Sequence, residues 1–272
     1  MQSRYFDITK LKQYYKGLSS RQQWLVIGAG LLVAVLLLIA LGRWYTQMAL
    51  PDGNKDEEAQ RIFREADQQY RQDEYQQAAS GFEDYAERTQ GYARFHGFIR
   101  AGRSHDRAGS HQASVQAFQN ALEVQDVSAS EYPFQHGRVH DGMSRAYQAS
   151  GEVDKALSHA RQRRDIFQEL EPEGEQERQQ VQQILDSGQN RIQSLQKQRL
   201  NQKSRQARKH ADRADELMSG EDVPREQMRK AVEKYQQAVT ILSENPDIPK
   251  AQQRRQNYQQ EIEAIREILA EE

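Results

Sequence analysis

The chain has 272 residues, and 38 Lys and Arg against 40 Asp and Glu give a formal net charge of −2, so no bulk charge attracts it to nucleic acid. It contains 0 Cys, which excludes disulfides, thiolate zinc sites, iron–sulfur clusters and cysteine nucleophiles. With 16 Gly and 6 Pro the chain has few helix breakers, so the composition favours an all-α fold.

The first predicted element is a long apolar run that follows a basic tail of residues 1–23. Residues 24–42, from Trp24 to Gly42, carry no charged side chain. As a helix they would span about 28 Å, close to the thickness of the hydrocarbon core of a bilayer. A cleavable signal peptide would have a shorter apolar core and a small-residue cleavage site, and a buried globular helix would be apolar on fewer faces. The run therefore predicts a single transmembrane helix with the lipid bilayer as a partner.

Charges on either side of this run predict its orientation. Lys and Arg outnumber Asp and Glu before the run, whereas acidic residues outnumber basic ones in residues 43–58, which include a predicted linker at 43–57. The positive-inside rule then places the N-terminus in the cytoplasm and the C-terminal domain outside. The sequence has no Asn-x-Ser/Thr sequon, which disfavours a eukaryotic secretory lumen. We expect a single-pass inner membrane protein with a periplasmic C-terminal domain.

Residues 58–170 contain three predicted helical hairpins with a common internal spacing. A small residue on the first helix of each hairpin is followed twelve residues later by a small residue on the second, and close crossing of two helices requires such residues. A turn lies between them, where Gly would end the first helix in a left-handed cap. The small pairs are Ala66 with Ala78, Gly102 with Ser114, and Ser144 with Ala156, and the turns contain Asp73, Gly109 and Gly151.

This pattern resembles the tetratricopeptide repeat. The second hairpin carries most of the resemblance, and the first lacks the turn glycine. The resemblance implies an α-solenoid of helical hairpins, whereas the residues alone also allow an irregular helical bundle. The matching positions are Ala66, Tyr75, Ala78 and Phe82 in the first hairpin; Phe98, Ala101, Gly102, Gly109, Ser114, Phe118, Ala121 and Leu122 in the second; and Met143, Ser144, Tyr147, Gly151, Ala156 and Leu157 in the third.

The pattern weakens after residue 170. Residues 171–204 predict an irregular helical segment with a break at Ser187-Gly188, and residues 246–272 predict a capping helix over the end of the solenoid. Between them, residues 205–245 form a degenerate fourth hairpin with a longer loop. Its small and apolar positions are Ala207, Ala211, Ala214, Met218, Ala231, Tyr235, Ala238 and Leu242.

Candidate catalytic and metal-binding residues have simpler structural explanations. His136 and His140 share a helix face at a spacing that metal ligands use, yet His140 also falls on a packing position of the repeat. No zinc-protease, phosphate-loop or nucleophile-elbow motif occurs. We therefore expect no catalytic residues, no metal site and no cofactor, and a protein that is not an enzyme. The basic stretch 197–213 either binds an anionic surface or is a solvated helix face.

A binding groove is implied by the repeat resemblance, because the first helices of tetratricopeptide hairpins line a groove for peptides. Arginine pairs bidentately with carboxylates, so the expected partners are proteins with acidic segments or free C-termini, with nucleic acid disfavoured. The groove residues are Tyr70, Arg71, Arg103, Arg107, Arg138 and Arg145, together with Phe63, Asp67, His96, Ile99, Asp106, Asp141 and Gln148.

Four functions fit these expectations. The leading hypothesis is a membrane-anchored repeat scaffold for protein–protein interaction at the extracytoplasmic face of the inner membrane. A structural subunit of an envelope secretion or pilus assembly machine is a second, and a periplasmic chaperone or translocon accessory is a third. A cytosol-facing import receptor with the opposite topology is a fourth. The sequence leaves the partner and the oligomeric state open.

Overall fold

A computed structural model describes residues 57–271 of the chain. The predicted basic tail, the apolar run at 24–42 and all but the last residue of the predicted linker lie outside the described residues. Between residues 57 and 271, no helix combines the length and the apolar character that crossing a membrane requires.

The described residues fold into α-helices joined by turns, and no strand occurs among them. The all-α prediction is confirmed for this part of the chain, as are the repeated helical hairpins. The helices are α1 (Glu57–Arg71), α2 (Tyr75–Arg88), α3 (Gly91–Arg107), α4 (His111–Leu122), α5 (Pro133–Ala149), α6 (Val153–Gln168), α7 (Glu175–Met218), α8 (Arg225–Glu244) and α9 (Ala251–Ala270).

The turns inside the first three hairpins share one backbone geometry. Gly109 and Gly151 have φ angles of 74° and 83°, and Asp73 occupies the same position with a φ of 61°. The residue after each of them donates a backbone hydrogen bond to a carbonyl in the last turn of the preceding helix, which closes a left-handed cap. The predicted caps at Gly109 and Gly151 are therefore confirmed. The bonds run from Glu74 to Gln69, from Ser110 to His105 and from Glu152 to Tyr147, at 3.0, 2.9 and 2.8 Å.

The small residues of the second hairpin let its helices meet closely. The Ser114 hydroxyl on α4 donates a hydrogen bond of 2.8 Å to the Gly102 carbonyl on α3, and Ser114 is fully buried. One turn further along α4, the Phe118 ring packs against Gly102 and against Gly142 on α5 of the next hairpin. Phe118 thus fills the space between successive hairpins, as its spacing predicts.

Helix α7 differs from the sequence expectation, because it runs without interruption through the predicted break at Ser187-Gly188 and past residue 204. An interior glycine costs a helix only about 1 kcal/mol, and the straight-chain residues around it favour helix. Ile192 and Leu195, in the first half of α7, pack into the apolar core of the second and third hairpins. The tertiary contact of this half overrides the local signal for a break.

The second half of α7 belongs to a separate apolar core with α8 and α9. The small and apolar residues predicted for a fourth hairpin lie together in it, and Ile262 and Ile265 of α9 pack on them. Between Leu195, in the first core, and Ala207, in the second, none of residues 196–206 is buried. Helix α7 is therefore an element that the two cores share.

Candidate functional site

Side chains from the first helix of each hairpin line an open cleft of about 500 Å³. Tyr70 comes from α1, Arg103, Asp106 and Arg107 come from α3, and Arg145 comes from α5. The structure thus brings together five of the predicted groove residues, with Asp106 among them. We call this set the arginine cleft. It forms because residues three or four apart share one face of a helix.

Each of these first helices contributes an aspartate that holds arginines in place. On α5, Asp141 lies 3.2 Å from Nη1 of Arg145 and 3.6 Å from Nη1 of Arg163. Arg145 also lies 3.8 Å from Asp106 on α3. These ion pairs join neighbouring helices and fix Arg145 at the edge of the arginine cleft.

Three of the predicted arginines have no such partner. Arg103 and Arg107 in the arginine cleft, and Arg138 on α5, are exposed, and across residues 57–271 none of them makes an ion pair. The cleft therefore has unpaired guanidinium groups that face solvent. A guanidinium presents two parallel N–H donors, which match the two oxygens of a carboxylate.

His96 adds a neutral ring to this positive region. Burial, together with the charges of Arg100, Arg138 and Arg103, lowers the pKa of His96 to about 4. At neutral pH His96 is therefore uncharged. Arg138 therefore affects the pKa of His96 on α3, although Arg138 does not line the cleft.

Two predicted groove residues occupy other positions. Arg71 forms an ion pair of 2.8 Å with Asp67 on its own helix and is 78% exposed, outside the cleft lining. Ile99 is buried in the core between the hairpins, so its assignment to the groove is wrong. Adjacent positions on a helix are about 100° apart, so a groove residue expected at 99 falls on the apolar side of α3.

No protein-family model matches the chain, and no curated protein matches it. Among solved structures, it is similar to nearly identical TPR-like repeats from Podosopora anserina, described as a kinesin light chain, at 19% identity and a TM-score of 0.35. This similarity covers 78% of this chain and 95% of the other. A variant of the same protein gives 18% identity, a TM-score of 0.35, and coverage of 78% and 94%. The similarity is loose at this score, and the hairpin architecture rests on the helices of this chain themselves.

Sequence reasoning missed Arg100, the neighbour of Ile99. Its guanidinium pairs with the Asp67 carboxylate and lies 5.0 Å from the centre of the Tyr70 ring and 4.8 Å from that of Phe82. Arg100 thereby fastens α3 to α1 beneath the arginine cleft. The signal that sequence reasoning missed is the helical spacing, since Arg100 lies four residues after His96 and three residues before Arg103.

A second missed contribution comes from α7. Nε of Arg191 donates a hydrogen bond of 3.1 Å to the Ser144 hydroxyl, and its Nη2 donates one of 3.1 Å to the side chain of Gln148. The Gln148 amide in turn donates a hydrogen bond of 2.9 Å to Gln198. The polar surface of α5 therefore continues onto α7. A repeat pattern that ends at residue 170 gives no indication of this.

The histidines on α5 are occupied by packing contacts. Nε2 of His136 lies 3.1 Å from the Val127 carbonyl, and its ring stacks on Phe95. Nδ1 of His140 lies 3.1 Å from Nδ1 of His159 on α6. In the part of the chain that the structure describes, no group of three or more His, Asp or Glu is placed to hold a metal ion.

Proposed function

We propose that this chain is a membrane-anchored helical-repeat scaffold that binds acidic segments of other proteins in its arginine cleft. The observation that carries the proposal is the pair of exposed, unpaired arginines, Arg103 and Arg107, beside the Tyr70 ring. Charge complementarity of this kind favours carboxylate-bearing partners and repels basic ones. The proposal involves binding alone, with no bond made or broken.

The remaining lining of the arginine cleft supports a polypeptide partner. Arg145 is held by Asp141 and Asp106, so its orientation is fixed before a partner arrives. Tyr70 offers an aromatic face for the apolar part of a peptide side chain. A cleft that combines fixed charge, free charge and an aromatic ring can accept a mixed acidic and apolar segment.

We propose further that residues 24–42 anchor the protein in the inner membrane, with the helical domain in the periplasm. The uncharged apolar run and the basic residues before it support this placement. Anchoring would raise the effective concentration of the arginine cleft near membrane-bound partners. Protease added to spheroplasts should remove a C-terminal tag. Protection of the tag would show that the topology is opposite to the one proposed.

The binding proposal is tested with the full chain in a neutral detergent and a fluorescent pentaglutamate peptide. We expect Arg103→Gln/Arg107→Gln to weaken peptide binding by about tenfold, because two charge-assisted contacts are lost. Arg229→Gln/Arg266→Gln removes the same charge from exposed positions on α8 and α9 and is the matched control. Equal binding by the wild-type protein and the cleft variant would contradict the proposal.

A further inference from the structure

A second positive surface lies along α7, outside the three repeats. Two adjoining open clefts of about 330 and 290 Å³ follow one face of this helix, and both are lined by Asn201 and Arg205. Lys197 lines the first cleft and Arg208 the second. We call Lys197, Asn201, Arg205 and Arg208 the α7 stripe. Their spacing of three or four residues keeps them on one side of the helix.

The cations of the α7 stripe are free. Lys197, Arg205 and Arg208 are exposed and make no ion pair with any residue that the structure describes. Nη1 of Arg254 on α9 donates a hydrogen bond of 3.1 Å to the hydroxyl of Ser204, which lines the second cleft, so a further cation lies beside the stripe. A helix face that is only solvated would not need a cation from a second helix beside it.

A hydrogen bond between α5 and α7 links the helix that carries Arg145 to the α7 stripe. Gln148 lies three residues after Arg145 on α5, and its amide bonds Gln198, which lines the first α7 cleft together with Lys197. A partner leaving the arginine cleft along α5 therefore meets α7 at its most basic part. We propose that the arginine cleft and the α7 stripe form one track for a single extended acidic segment of a partner protein, an inference that rests on the proposed function.

The chemistry of the track favours a polypeptide over a phosphate polymer. On α7, the amides of Gln198, Asn201 and Gln202 lie between Lys197 and Arg205. Side-chain amides both donate and accept hydrogen bonds, as peptide groups do. The mixture matches a chain that carries carboxylates on a peptide backbone.

The length of the α7 stripe sets the length of the ligand segment that it can bind. Lys197 and Arg208 are eleven residues apart, which is about 16 Å along a helix. This corresponds to about five residues of extended peptide. A short acidic peptide can fill the arginine cleft alone, whereas a longer one reaches both surfaces and gains affinity by linkage.

The test compares pentaglutamate with pentadecaglutamate on the full chain in a neutral detergent. We expect the long peptide to bind at least about tenfold more tightly. Arg205→Gln/Arg208→Gln should remove that gain and leave the affinity for the short peptide unchanged. The control Arg229→Gln/Arg266→Gln should retain the gain. Undiminished binding of the long peptide by the stripe variant would overturn the inference.

Two further results separate the remaining outcomes. If Arg103→Gln/Arg107→Gln leaves binding of the short peptide unchanged, the proposed function fails, whatever the α7 stripe does. Oligouridylate, and vesicles of phosphatidylcholine and phosphatidylglycerol in equal parts, report on phosphate recognition. If either binds more tightly than the long peptide and loses binding in the stripe variant, the α7 stripe is a phosphate surface and the inference is overturned.

Discussion

Phe118 is held between two glycines that belong to different hairpins. A Cβ atom built at Gly102 would lie 2.9 Å from the ring, and the ring is also in contact with Gly142. Side chains in a packed core cannot move away without disturbing their own neighbours. The absence of a side chain at these positions is therefore what allows α3, α4 and α5 to approach one another.

This contact predicts opposite effects of one substitution at two glycines. Gly102→Ala should lower the free energy of unfolding by about 1–2 kcal/mol, because overpacking outweighs the gain in helix propensity. Gly188→Ala on α7 should raise it by up to about 1 kcal/mol, because its Cβ would meet no atom within 4 Å. Urea denaturation of the full chain measures both. Equal stability of the two variants would contradict this account of Phe118.

The sequence predicts the small residues and the aromatic that follows them more accurately than it predicts the groove. Gly102, Ser114 and Phe118 follow from a spacing that the repeat makes visible. Arg100 does not, because its partner Asp67 is 33 residues away, and no local pattern links them. The groove prediction was one residue out of phase there and selected the buried Ile99 instead.

At the scale of helices, α5 and α6 are joined by a pair of histidines. Burial, together with the nearby His159 and His136, lowers the pKa of His140 to about 4. Burial also lowers the pKa of His159, against a hydrogen bond to Gln162 that raises it. The Tyr147 ring also stacks on His159. The contact between the two helices therefore depends on uncharged rings.

This pair predicts a loss of stability in acid. In the unfolded chain a histidine has a pKa of about 6.5, so below that pH the unfolded state binds more protons than the folded state. Stability should fall by about 1–3 kcal/mol as the pH drops from 6.5 to about 4, over and above the contribution of the carboxylates. His140→Phe keeps the ring and removes one titration, so its stability should change less over this range. Parallel pH profiles of the two proteins, measured by urea denaturation, would contradict the prediction.

The turns and α7 show where local sequence signals succeed and fail. Gly109 and Gly151 mark their turns because glycine adopts a positive φ without a steric penalty. Asp73 takes the same conformation without that signal. Ser187-Gly188 carries a turn-like signal and yet lies inside a helix, because the contacts of Ile192 and Leu195 with distant hairpins outweigh it. Such contacts are not visible in a local window of sequence.

For the whole domain, the exposed middle of α7 is the connection that matters most. Its first half packs with the hairpins and its second half with α8 and α9, and no residue from 196 to 206 is fully buried between them, although Leu200 packs partly on the second core. The two cores then share backbone hydrogen bonds of one helix. Their unfolding should be coupled through those bonds.

A proline in this stretch should uncouple the cores. Gln206→Pro removes a helix hydrogen bond and costs about 3 kcal/mol or more, whereas Gln206→Ala preserves the helix. We expect amide hydrogen exchange in α8 and α9 to accelerate in the proline variant, with exchange in α3 and α4 close to wild type. Uniform acceleration across both cores would mean that the domain unfolds as one unit and that the prediction is wrong.

Because α7 is uninterrupted, the number of residues between the two cores also sets their relative orientation. Each residue inserted between 196 and 206 would advance the second core by about 1.5 Å and rotate it by about 100° relative to the first. Seven inserted residues would nearly restore the original angle, with a difference of about 20°. The distance between the two cores can therefore change only together with the direction in which the second core faces relative to the first.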